Sequence, residues 1–178
     1  MTTRTHETID TVHEVHRLAV AVDASFDDFK SRYERAVPRL DAQVFDRLMR
    51  EHADWDNVLR ATALNAPHGF IVYWSFDVTA LMRLAGDTWR CTEYLMGNHT
   101  IAQRMFRHHP GIMLYAPLRT GIYEDWRGTT WFSVDQPSAQ FASFGDPRIA
   151  EVGLELDHKL AALLDHLGVP PPARLTAR

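Results

Sequence analysis

Between Phe70 and Val78 the chain reads FIVYWSFDV, a continuous run of β-forming residues in which Asp77 is the one charge. If the run alternates as a strand does, Phe70, Val72, Trp74 and Phe76 share one side and Ile71, Tyr73 and Ser75 the other. Neither side is charged. Such a strand has to be covered on both faces, or must give one face to a cavity or a subunit contact. The rest of the chain must therefore supply that cover.

Val12 to Val22 alternates as a half-buried strand, with His16, Leu18, Val20 and Val22 on one side. Ser25 followed by Asp27 and Asp28 is a helix start, because the hydroxyl can accept an orphan N–H and the acids complement the positive end of the dipole. Phe26, Phe29, Tyr33 and Val37 lie on one face of that helix, which Pro38 closes. Asp41 to Leu64 predicts further helix, with a polar gap at Glu51 to Asp54 that can divide it in two. Val78 to Leu84 predicts a short helix ending at Gly86. A second strand follows, in which Trp89, Cys91, Glu93 and Leu95 alternate with Arg90, Thr92, Tyr94 and Met96. Gly97-Asn98 turns it into a helix with an apolar stripe of Ile101, Ala102, Met105 and Phe106.

Ile112 to Leu118 and Gly121 to Trp126 read as strand, and Thr129 to Val134 returns from them through the turn Asp125-Trp126-Arg127-Gly128. Asp146-Pro147 supplies an N-cap and a first-position proline for a long closing helix, whose apolar side runs from Ile149 to Leu167. Strands that neighbour in sequence are joined by turns, which favours an antiparallel sheet with helices on one face, an α+β two-layer domain. At 178 residues, 46% of them hydrophobic and 24% charged, the chain suits one domain with a substantial core. The expected division is a flexible lead-in over 1–11, a single domain over 12–170 that contains a helical insertion at 39–66, and a flexible end over 171–178.

The net charge of −4 argues against a phosphate-binding surface, so nucleic acid is not an expected partner. No stretch has the length of a signal-peptide core or of an uncharged membrane span, and the expectation is a soluble, cytoplasmic protein. A lone cysteine, Cys91, excludes an internal disulfide and a cysteine-rich zinc site.

Several of these segments together resemble one family. FIVYWSFDVTALM, EYLMGNHTIAQRMF, HPGIMLYAP, GIYEDWRGTTWFSV and DQP, from Phe70 to Phe144, are similar in order and character to the bacterial and archaeal family known as domain of unknown function 302. Val12 to Pro38 resembles that family's opening strand and helix. The resemblance implies a two-layer sandwich of one antiparallel sheet backed by helices, a TATA-binding-protein-like arrangement, often paired into dimers. It implies no reaction. Residues 39–66 and the tryptophans Trp55, Trp74, Trp89, Trp126 and Trp131 depart from the usual pattern, and can build a lid over an aromatic pocket or thicken a dimer interface.

Candidate chemistry gathers near Gly97-Asn98. His99 sits at a helix first turn, where a neutral imidazole is favoured and can donate or accept a proton. His99 and His108, nine apart, lie on opposite sides of a helix and cannot jointly hold a metal, and no metal site is expected. Glu93 is a mid-strand acid that needs a partner, with Arg90, Arg104 and Arg119 as candidates, or a purpose. With Tyr115 as hydrogen-bond donor, Glu93 and His99 make the acid–base set of an isomerase, cyclase or lyase. Tyr73, Trp74, Trp89, Cys91, Tyr94 and Trp131 are the candidate wall of a pocket for a small apolar or aromatic molecule. No cofactor motif is present, although an apolar pocket with His99 leaves an axial haem ligand open. Three readings follow: a small-molecule binding module, an enzyme on the same scaffold, and a homodimer joined through its aromatic surface.

Overall fold

The computed structural model describes residues 8–177. Five strands, β1 (Arg17–Val22), β2 (Ile71–Asp77), β3 (Arg90–Gly97), β4 (Leu118–Glu124) and β5 (Thr130–Asp135), form one antiparallel sheet in the order β1-β5-β4-β3-β2. Among the described residues seven α-helices accompany them: α1 (Phe26–Ala36), α2 (Ala42–Arg50), α3 (Trp55–Asn65), α4 (Val78–Met82), α5 (His99–Phe106), α6 (Pro137–Ala142) and α7 (Pro147–His166). The fold is an α+β two-layer sandwich, as the sequence predicts.

The register fixes which side chains meet. Leu18, Val134, Thr120 and Tyr94 form one row across β1, β5, β4 and β3, and Val20, Phe132, Ile122 and Thr92 the next. This face is the core. Phe26, Phe29 and Tyr33 of α1 and Ile149, Leu156, Leu160 and Leu164 of α7 bury themselves in the same cluster. The intervening rows, Ala19-Ser133-Gly121-Glu93 and Ala21-Trp131-Tyr123-Cys91, face the other way and carry no helical layer among the described residues.

Local signals in the sequence are realised at the helix ends. Ser25 Oγ accepts from Asp28 N at 3.2 Å, and Asp146 Oδ1 accepts from Arg148 N at 2.9 Å with Pro147 at the first helical position. The polar gap after Arg50 does separate α2 from α3, and Asp54 caps the second of them by accepting from Asn57 N.

Two expectations are corrected. β1 begins at Arg17 rather than Val12, because its partner β5 ends at Asp135, opposite Arg17, and only Gln136 N reaches back further, to His16 O. Ile112 to Leu118, expected as strand, begins instead in a 3-10 turn over Pro110–Leu114. There His109 Nδ1 accepts from Gly111 N, Pro110 starts the turn, and Pro117 has no N–H to give a ladder, so β4 starts at Leu118. The end from residue 171 includes a turn at Ala173–Leu175 with Leu175 fully buried and Arg174 O accepting from Gln136 Nε2. Most of the lead-in 1–11 lies outside the described residues.

The segment between α1 and α2 sets where residues 39–66 go. Val72 N donates to Pro38 O and Leu40 N to Val72 O, both at 2.9 Å, so the chain pairs briefly along the outer edge of β2 and covers part of it. α2 and α3 then pack on each other beyond that edge, and α3 reaches α5. The α2–α3 segment therefore flanks the sheet at the β2 end instead of lying over its uncovered face.

Candidate functional site

The site begins with an irregularity in β2. Val72 pairs with Met96 and Trp74 with Leu95, so Tyr73 is an extra residue with no partner on β3. Bulges of this kind re-aim a side chain. They also break the expected alternation, since Val72 faces the core while Trp74 and Phe76 emerge on the uncovered face, 45% and 41% exposed. Tyr73 turns toward Gly97, where a Cβ would stand 3.6 Å from Tyr73 Cε2 and 3.3 Å from Pro117 Cα. Glycine leaves the room the ring uses.

Asn98 holds the next step in place. Its Oδ1 accepts from Thr100 N at 3.0 Å, capping α5, while its Nδ2 donates to Gly69 O at 3.0 Å and ties the turn to the loop before β2. His99, the first residue of α5, is thereby set against Tyr73 and α3. Its Nε2 is 2.6 Å from Thr62 Oγ1, its Nδ1 is 2.7 Å from Tyr73 Oη, and its backbone N donates to Tyr73 Oη at 3.0 Å.

Proton accounting assigns the tautomer. The Thr62 hydroxyl donates to Val58 O at 2.7 Å, so it must accept from His99. Nε2 therefore carries the hydrogen, and Nδ1 accepts from the Tyr73 hydroxyl. Burial lowers the His99 pKa and raises that of Tyr73 to about 12, which keeps both groups neutral in this arrangement. The Phe45 ring stands edge-on to the imidazole, 4.7 Å between centroids.

Two cavities meet at this pair. The first, about 530 Å³, lies at the end of the sheet between β3, α5 and the 3-10 turn, with Ala102, Met105, Phe106 and Met113 among its walls. The second, about 480 Å³, lies against α2 and α3 and is walled by Phe45, Leu48, Met49, Trp55 and Val58. Tyr73 and His99 line both. Gln103 is also on the first cavity's wall, and its side chain makes no hydrogen bond among the described residues.

The sequence-predicted site residues are divided by the structure. Tyr73 and His99 come together. Glu93 lies on the uncovered sheet face, its Oε1 3.1 Å from Arg119 Nε, one of the three partners expected for it. It shares no hydrogen bond, ion pair or cavity wall with His99 among the described residues. The Tyr115 hydroxyl is 2.9 Å from His13 Nε2, and its ring packs on Phe141 and Phe144. Tyr94 is in the core, donating to Glu34 at 3.0 Å. Trp74, Cys91 and Trp131 are on the uncovered face, where Trp131 stacks on Tyr123 and donates to Asp125. Burial raises the Cys91 pKa, so its thiol is not activated. Trp89 is more than half exposed.

Thr62, Phe45, Gln103 and Met113 were not anticipated. Phe45 stood in the sequence as part of a helical stripe, but nothing there says which surface the stripe meets. Among the described residues no group of three or more His, Cys, Asp or Glu is placed to hold a metal ion, and no helix is long and apolar enough to cross a membrane.

A two-layer α+β domain with an apolar chamber at one end of its sheet is the class that fold and site define. The family model for domain of unknown function DUF302 matches residues 51–167, and the chain belongs to that family. Among solved structures it is similar to an uncharacterised conserved DUF302 protein from Bacillus stearothermophilus, at 20% identity over 85% of this chain and 97% of that one, with a TM-score of 0.61. That likeness concerns the fold. Comparison with curated proteins finds no match.

Proposed function

We propose that this domain binds a small apolar or aromatic molecule in the chamber beside α5. The observation that carries the reading is the chamber itself: a cavity of about 530 Å³ with largely apolar walls, in which Tyr73 and His99 are fixed by hydrogen bonds and Gln103 is left unpaired. Ligand sites are typically concave, mostly apolar and provided with a few placed polar groups, within a range of roughly 300–1,000 Å³. His99 serves to position Tyr73, since both of its ring nitrogens are already engaged. The same engagement disfavours an axial haem ligand at this position, because Nε2 would have to leave Thr62.

Native mass spectrometry of the purified protein should retain a bound small mass. An apolar dye such as anilinonaphthalene sulfonate should bind saturably, and Ala102→Trp, which fills the chamber, should weaken it at least tenfold. Unchanged dye binding by a folded Ala102→Trp variant would remove the reading.

A second reading, a homodimer joined through the uncovered sheet face, is supported by a separate feature. Trp74 and Phe76 stack there with 5.9 Å between centroids, and Tyr123 and Trp131 stack nearby. Exposed aromatic surface of this kind marks association sites. Sedimentation at micromolar concentration should give twice the monomer mass, and Trp74→Lys should return it to monomer; a wild-type monomer would dispose of this reading.

A further inference from the structure

The two cavities are divided by one pair of side chains. Tyr73 and His99 form a wall of each, and no other described residue lines both. The bulge that frees Tyr73 from the β2–β3 ladder, the missing Cβ at Gly97 and the Thr62 contact from α3 all converge on this one partition. Its polar atoms are spent within the chain. The Tyr73 hydroxyl donates to His99 and accepts from its backbone, and the Thr62 hydroxyl donates to Val58 O while accepting from His99. No free donor therefore faces a molecule passing the partition, which suits methylene or aromatic carbon better than a carbonyl or a carboxylate.

α2 adds an independent observation. It is amphipathic, with Val44, Phe45, Leu48 and Met49 among its apolar residues, yet it buries none of its residues fully. Its apolar side lines the second cavity and so lacks the packing that would ordinarily stabilise a short helix. Gln103 also lines the first cavity, and its side-chain amide makes no hydrogen bond among the described residues.

From this arrangement we infer that the two cavities are one site with two chambers, and that its ligand is an elongated molecule with a polar head and an apolar chain. The inference rests on the small-molecule reading above. The head bonds to Gln103 in the first chamber, and the chain runs past Tyr73 and His99 into the second chamber, where it completes the packing of α2. The insertion between α1 and β2 thus sets the length of ligand the domain accepts.

Methionine methyl groups report on the chambers separately, since Met105 and Met113 line the first and Met49 the second. Wild-type protein labelled at methionine methyls is titrated with a series of n-alkanols from butanol to dodecanol and followed by NMR. Short alkanols should shift Met105 and Met113 but not Met49. Longer ones should shift Met113 and Met49 together, along a single isotherm, with affinity rising roughly fourfold per added methylene. In Leu48→Trp the rise should stop at a shorter chain while butanol binds as in wild type. Met49 silent to every alkanol that shifts Met113, or following a different isotherm, would overturn the two-chamber site and leave the first chamber standing. If no alkanol shifts Met105 or Met113, small-molecule binding in the first chamber fails and the two-chamber site fails with it.

Discussion

Asp157 and His99 are both held by polar partners on other elements, yet they differ in what lies beyond those partners. Asp157, on α7, is 2% exposed; its carboxyl oxygens accept from Gln136 Nε2 at 2.7 Å, Ser138 N at 2.9 Å and Ser138 Oγ at 2.6 Å. Gln136 also donates to Arg174 O, so the network locks α6 and the C-terminal turn onto α7 and lines no cavity described above. His99 makes a comparable number of bonds, but it has a cavity on each side. A satisfied buried polar network is therefore no sign of function by itself. The binding proposed above attaches to the network that borders open space, while the closed one holds the C-terminal elements together.

The contrast predicts unequal costs. Asp157→Ala leaves three donors, the buried Gln136 amide and the part-buried Ser138 N and Oγ, without their acceptor, and should lower the unfolding free energy by about 3 kcal/mol in urea titration. Tyr73→Phe removes one donor and one acceptor from a part-buried site that water can reach through the cavities, and should cost about 1 kcal/mol. Its larger effect should be on dye binding, because the freed imidazole can turn into the chamber. Equal losses of stability from the two substitutions would break the distinction between a closed network and an open one.

Acid should expose the same difference without mutation. Burial holds the His99 pKa below its ordinary value of 6.5, so between the folded value and 6.5 the unfolded chain binds a proton that the folded chain refuses. The corresponding stability is complete above about 6.5 and is lost as pH falls through that window. His68, lowered by partial burial and by the neighbouring His166, contributes with the same sign. His99→Gln should therefore make the acid side of the stability profile shallower without flattening it. Protonation also requires Nδ1 to donate where it now accepts from Tyr73, so dye affinity should fall over the same range in wild type and stay level in His99→Gln.

Much of the scaffold was legible because its causes are local. Ser25, Asp54 and Asp146 act on the helix turn that follows them, Gly128 supplies the positive φ of the β4–β5 turn, and the alternation of β3 places Thr92, Tyr94 and Met96 on the buried face. The Tyr73 bulge was not legible, since a strict period of two assigns Tyr73 and Trp74 sides that the extra residue exchanges. The partners of His99 were equally hidden. Thr62 and Phe45 lie on separate helices of the segment between α1 and β2, whose docking depends on the edge pairing of Pro38 and Leu40 with Val72, a contact that no spacing in the sequence encodes.

Glu93 gives the smallest effect and the sharpest control. It was singled out as an acid in mid-strand, but Arg119 on β4 already accounts for it, and the pair is open to solvent on the arginine side. Exposed pairs of this kind contribute little, typically under about 1 kcal/mol. Glu93→Gln should therefore change unfolding free energy by no more than about 0.5 kcal/mol and leave dye and alkanol affinities at the wild-type level. If Glu93→Gln weakens binding in the chamber as strongly as Tyr73→Phe does, the uncovered sheet face and the α5 chamber are energetically linked. Leu95, which shares the face of Glu93 and also lines the first cavity, would then be the connection to test.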